Sequence, residues 1–138
     1  MKSGKVRYKG GYKYQLVESV SLLTCIKPGE DILTKYIDLY YDGHMIIREG
    51  YCWDGPSGPT IDTKNFMRGS LVHDALYQLM RESKLLRSRR EAADLLLKKI
   101  CLEDGMSKLR AWWVYKGVRL GAGFAIKASA RNPVRTAP

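Results

Sequence analysis

YIDLYYDGHMIIREGYCWDGPSGP, residues 36–59, contains the change of periodicity that sets the fold. Ile37, Leu39 and Tyr41 alternate ahead of Asp42-Gly43, and Met45 and Ile47 follow it, with Ile46 breaking strict alternation. β-Rich flanks around an Asp-Gly pair are a hairpin signature, and the pair can supply the two positive-φ positions of a type I′ turn. Asp54–Pro59 then places two glycines and two prolines in six residues, which excludes regular structure and marks the passage from strand to loop. Upstream, residues 12–26 (YKYQLVESVSLLTCI) hold one or two further strands of open register, closed by Pro28-Gly29.

Downstream the pattern is helical. A first helix is predicted over Met67–Arg81. A second begins after Ser88, where Ser88 and Glu91 have capping-box spacing, and ends near Glu103 with Gly105 as its C′ residue. A third starts after Ser107 and runs through KLRAWWVYKGVRL, its continuation past Gly121 and Gly123 left open. The expected fold is α+β: N-terminal β-hairpins packed on an antiparallel helical hairpin plus a third, C-terminal helix. One domain is expected over residues 1–127 (β-rich 5–53, ordered loop 54–66, helical 67–127), with a basic mobile tail over 128–138.

The 138 residues suit one domain, and 45% hydrophobic with 28% charged residues excludes a wholly disordered chain. No apolar run reaches the roughly 18 residues of a membrane span, and no secretory signal is read at the N-terminus. Cys25, Cys52 and Cys101 match neither a zinc spacing nor a disulfide framework, so free thiols are expected. The net charge of +10 is uneven: residues 70–138 hold 14 basic and 6 acidic residues, and residues 1–69 hold 10 and 8. A basic C-terminal half fits a polyanionic neighbour, either nucleic acid, an anionic membrane or an acidic protein surface, and equally a merely solvated face.

Chemistry concentrates in three elements: the loop from Asp54, the run His73-Asp74 with Tyr77, and Asp94. His73 and Tyr77 are i, i+4 and share a helix face, whereas Asp74 lies about 100° round the axis. If the first two helices pack antiparallel, His73 and Asp94 fall within about 4.5 Å of the same level along the axis, and either His73 or Tyr77 can face the carboxylate. A carboxylate-held imidazole is a general base near neutral pH. Carboxylates on the loop and on the helix can hold a hard cation such as calcium, and the Gly55 N–H can stabilise an oxyanion. Each residue also has a structural reading. His73 can be a packed core histidine, Asp94 can pair with Arg90 and Lys98 on its own helix, Asp54 can cap its loop, and Tyr77, Trp112 and Trp113 read as core.

Taken together, Gly50-Tyr51-Cys52-Trp53-Asp54-Gly55-Pro56-Ser57-Gly58-Pro59, Val72-His73-Asp74-Ala75-Leu76-Tyr77, Arg90-Glu91-Ala92-Ala93-Asp94 and the apolar stretch Ala111–Arg119 resemble a domain family of unknown function found mostly in tailed phages and prophages. The match runs over about residues 45–123. It implies a phage or prophage accessory protein, virion-associated or acting in assembly, present in the host cytoplasm during infection and partnered by other phage proteins or by itself. The layout is also similar to small bacterial phospholipase A2 enzymes. That similarity implies His73 as base, Asp94 as its orienter, Tyr77 in support, Gly55 at the oxyanion, and Asp54 and Asp74 on calcium. Val72 and Pro56 stand where those enzymes carry cysteines. On sequence alone the reading leans to a phage component whose Asp/His cluster is mainly structural, with a calcium-dependent hydrolase as the alternative.

Overall fold

A computed structural model describes residues 8–9, 14–53 and 64–131, with the side chains of 14–53 and 64–121. Residues 54–63, and with them Asp54 and Gly55 of the expected loop 54–66, lie outside the described residues, as do 1–7, 10–13 and 132–138. The fold is α+β, with antiparallel strands in two sheets followed by three helices. The strands are β1 (Tyr8–Lys9), β2 (Tyr14–Leu16), β3 (Val20–Leu23), β4 (Ile32–Leu33), β5 (Ile37–Leu39), β6 (His44–Ile47) and β7 (Cys52–Trp53). One sheet has the order β1-β2-β7 and the other β3-β6-β5-β4. The helices are α1 (Lys64–Arg81), α2 (Arg90–Glu103) and α3 (Lys108–Arg131).

The β5–β6 hairpin has the expected register, Ile37 opposite Ile47 and Leu39 opposite Met45. Its turn differs from the type I′ expectation. The positive φ belongs to Gly43 alone, at 94°, while the Gly43 N–H bonds the Tyr40 carbonyl at 2.9 Å and the Tyr40 N–H bonds His44 at 2.8 Å. That is a three-residue loop, a β-turn followed by a left-handed glycine. Asp42 keeps a negative φ because its carboxylate accepts the His44 N–H at 3.0 Å, closing the loop from the side chain. A Cβ on Gly43 would stand 3.1 Å from the Cys25 nitrogen, so the tip also abuts the chain leaving β3.

The helix ends follow local chemistry unevenly. α1 begins three residues before the predicted start, at Lys64. The Ser88–Glu91 capping box is not formed: Ser88 sits inside a 3-10 turn, Arg87–Arg89, and Arg89 precedes α2 with no side-chain cap. At the other end of α2 the expectation holds. Gly105 has φ 98°, Met106 N–H bonds the Cys101 carbonyl at 2.9 Å, and Gly105 N–H bonds Leu102 at 3.2 Å. This is a Schellman closure, with Met106 and Cys101 packed together as such a closure favours. Ser107 caps α3 by accepting the Arg110 N–H at 3.2 Å. α3 continues through Gly121 without interruption.

α1 is the central element: 14 of its 18 residues are buried. On one side Leu71, Leu76, Leu79 and Met80 join Leu16, Ile37, Leu39, Met45 and Ile47 of the strands in the main core. On the other, Phe66 joins Leu97, Cys101, Met106, Ala111 and Val114 in a second cluster between the helices. The antiparallel order of α1 and α2 is fastened by Arg68, whose guanidinium bonds Asp104 and Glu103 at 3.0 Å. Gly69 lets the two helices approach: a Cβ there would lie 2.9 Å from Leu97 Cδ1 and 3.0 Å from Cys101 Sγ.

Candidate functional site: a carboxylate between three helices

One helical turn beyond Gly69, α1 presents His73 and, a further turn on, Tyr77. Their rings lie 4.1 Å apart between centroids, as i, i+4 neighbours on one face do. Across the close approach stands Asp94 of α2. His73 Nε2 lies 2.7 Å from Asp94 Oδ1, and the Tyr77 hydroxyl donates to the same oxygen at 2.5 Å. The sequence left open which of the two would face Asp94; both do. Arg119 of α3 donates to the other oxygen, Oδ2, at 2.8 Å. The ion pair of Asp94 is therefore with α3, and not with Arg90 or Lys98 of its own helix.

Asp94 is fully buried, Tyr77 is 4% exposed and His73 is 8% exposed. Burial alone would raise the carboxyl pKa of Asp94. The hydrogen bonds from His73, Tyr77 and Arg119 outweigh it, and hold the group below the ordinary carboxylate value. The same burial and the bond to Asp94 push the Tyr77 phenol far above its ordinary value, so it stays a donor.

An ionised carboxylate only accepts. The imidazole nitrogen facing it must therefore carry the proton, and the neutral ring keeps its lone pair on Nδ1. Among the described residues no group bonds Nδ1. The one fully buried side-chain polar atom without a partner among those residues is Gln78 Oε1, and His73 as a whole is 8% exposed.

The end of β7 is tied to α1 near this site. Trp53 Nε1 donates to Ser70 Oγ at 3.1 Å, and Ser70 is three residues before His73 on α1. Asp54, the next residue, and Gly55 fall outside the described residues. Asp74, the other expected cation ligand, is half-buried beside His73. Among the described residues no three His, Cys, Asp or Glu side chains come together as a metal centre. The described part of the site therefore gives no cation a complete seat.

One expectation is corrected, and one residue of the site went unread. Trp112 and Trp113 do not sit in the core: they are 44% and 64% exposed on α3. Arg119 was not singled out, although it completes the site. Its one signal is its place, immediately after Val118 on the stripe Ala111, Val114, Val118 that packs inward.

Fold and site together define a small α+β protein in which buried His73, Tyr77 and Asp94, with half-buried Arg119, tie three helices together. Residues 35–118 match the model of the family described as Protein of unknown function (DUF1353), and the chain belongs to that family. The matched span begins before β5 and ends one residue short of Arg119. Neither the curated proteins nor the solved structures compared with the chain gave a match.

Proposed function

We propose that His73 and Asp94 form the general-base dyad of an ester hydrolase with the layout of a phospholipase A2. The observation that carries this reading is the division of labour between the two imidazole nitrogens. Nε2 is fixed by an ionised, buried carboxylate, and Nδ1 takes a bond from no described residue. A carboxylate with a structural task alone is already served by Tyr77 and Arg119. A histidine added to it supplies a second ring nitrogen that can take a proton from water.

In the proposed reaction Nδ1 accepts a proton from water as the water oxygen bonds the ester carbonyl carbon. Asp94 stabilises the resulting imidazolium through Nε2–H. As the tetrahedral intermediate collapses, the ester C–O bond breaks and Nδ1–H protonates the leaving alkoxide, giving a carboxylic acid and an alcohol. Tyr77 holds Asp94 in place and keeps its own proton. Calcium on Asp54 and Asp74, with the Gly55 N–H at the oxyanion, belongs to the phospholipase resemblance, and no step here runs through it.

The test is fatty-acid release from vesicles of anionic phospholipid, with calcium present and with it chelated. Wild-type protein should release fatty acid and His73→Ala should release none. A wild-type protein that releases nothing at any calcium level ends the hydrolase reading. The second reading, a phage or virion component whose cluster is a brace, is favoured by the complete burial of Asp94 between helices. It requires the chain to be found in purified virions or bound to assembly proteins, with His73→Ala altering stability alone.

A further inference from the structure

We propose that the outer face of α3 docks the protein on an anionic lipid surface. The inner face of this helix is spent on the fold: Ala111, Val114 and Val118 pack on α1 and α2, and Arg119 bonds Asp94. The opposite face carries Leu109, Trp112, Trp113 and Leu120, which are 68%, 44%, 64% and 87% exposed. With Lys116 they occupy positions i, i+3, i+4, i+7 and i+11, one stripe along the helix. A soluble surface scatters such residues singly, and a contiguous stripe of two indoles and two leucines marks a surface meant to be covered.

Charge names the cover. Besides Arg119, which is spent on Asp94, the 24-residue sequence of α3 supplies Lys108, Arg110, Lys116, Lys127 and Arg131 and not one acidic residue. Lys116 holds its ammonium over the Trp112 ring, 5.7 Å from the centroid, so cation and indole are presented together. Indoles seat at the boundary between acyl chains and headgroups, lysines reach the phosphates, and leucines enter the acyl region. A nucleic acid would neutralise the cations and leave Leu109 and Leu120 in water. A second copy of this helix would bring like charge against like, with no acidic residue on either helix to offset it. An anionic bilayer satisfies both the apolar and the charged half of the face. Arg119 adds a consequence: the docked helix is the one that holds Asp94, so the lipid surface lies one helix away from the dyad.

The experiment is flotation with phosphatidylcholine vesicles, with and without phosphatidylglycerol, in the absence of turnover. Wild-type protein should float with the anionic vesicles and not with the neutral ones, and binding should fall as salt is raised. Trp112→Ala/Trp113→Ala should lower the partition about tenfold or more. Its melting temperature should hold, because both side chains point outward. Failure of the wild type to float overturns the proposal, and so does full flotation by the double variant. A solution dimer abolished by the double variant would assign the face to self-association, and tight binding of an oligonucleotide that needs the tryptophans would assign it to nucleic acid. Either result overturns lipid docking. Flotation without ester hydrolysis removes the dyad's proposed chemistry and leaves the docking face intact; hydrolysis of soluble esters without flotation does the reverse.

Discussion

Asp94 offers two oxygens to donors from two other helices, and its energetics follow from burial. Asp94→Asn removes the charge that His73, Tyr77 and Arg119 share and puts an NH2 group where one of the two acceptor oxygens stood. Asp94→Asn should therefore cost about 3 kcal/mol in urea unfolding. The pH dependence has a fixed sign. The folded carboxyl titrates below its ordinary value, so the unfolded chain binds more protons as acid is added. The contribution of Asp94 is complete above the ordinary carboxylate value and is lost as pH falls through the folded one. The acid limb of stability against pH should be shallower in Asp94→Asn than in wild type. It should not be flat, because Arg48 likewise holds the carboxyl of buried Asp38 below its ordinary value. Urea midpoints collected down to about pH 3 test this. A second residue works in the opposite direction. Ser83 closes α1 at φ 60°, with Lys84 N–H on the Leu79 carbonyl at 2.8 Å, a position that favours glycine. Ser83→Gly should raise stability by about 1 kcal/mol, and a fall would mean that the serine side chain contributes more than the backbone strain removes.

Between elements, the site depends on how closely α1 and α2 approach, and Gly69 sets that approach one turn from His73. Gly69→Ala gains about 1 kcal/mol of helix propensity but drives a methyl into Leu97 and Cys101, where overpacking costs about 1–3 kcal/mol. The net should be a loss, and the two helices should part where His73 reaches Asp94. The decisive measurement is a double-mutant cycle: Asp94→Asn should cost less in the Gly69→Ala background than alone, and strict additivity would mean that the glycine does not set the distance. The same approach explains what could be read beforehand. The strand-to-helix order, the antiparallel helix pair and the His73–Asp94 meeting follow from hydrophobic period and helical rise, which are local quantities. The Ser88 cap failed because a 3-10 turn took the residues that would have started the helix. The turn type failed because the Asp42 carboxylate serves the loop in a conformation the Asp-Gly pair does not itself specify. Arg119 stayed hidden because nothing local separates a cation that turns inward from the five others on its helix; only the packing of α3 decides which one meets a buried acid.

At the scale of the molecule, the second apolar cluster makes the three helices one unit. Cys101 reports on it. Its thiol is fully buried, and burial together with the nearby Asp104 charge pushes its pKa up to about 12, so almost no thiolate exists at neutral pH. Cys25 is exposed and Cys52 is half-buried, and all three are free. A disulfide reagent added to native protein should therefore modify Cys25 quickly and leave Cys101 untouched. Labelling of Cys101 requires Ala111 and Val114 of α3 to leave α1 and α2, and that movement also strips Arg119 from Asp94 and uncovers Phe66. If the helices open only together, the labelling rate of Cys101 should rise with urea along the slope of global unfolding. Arg119→Met should accelerate it, because the substitution leaves Asp94 buried with one oxygen unpaired. A Cys101 that labels as fast as Cys25 in native buffer would show that α3 comes away by itself, and the cluster around Asp94 would then be a hinge between α3 and the rest rather than its fastening.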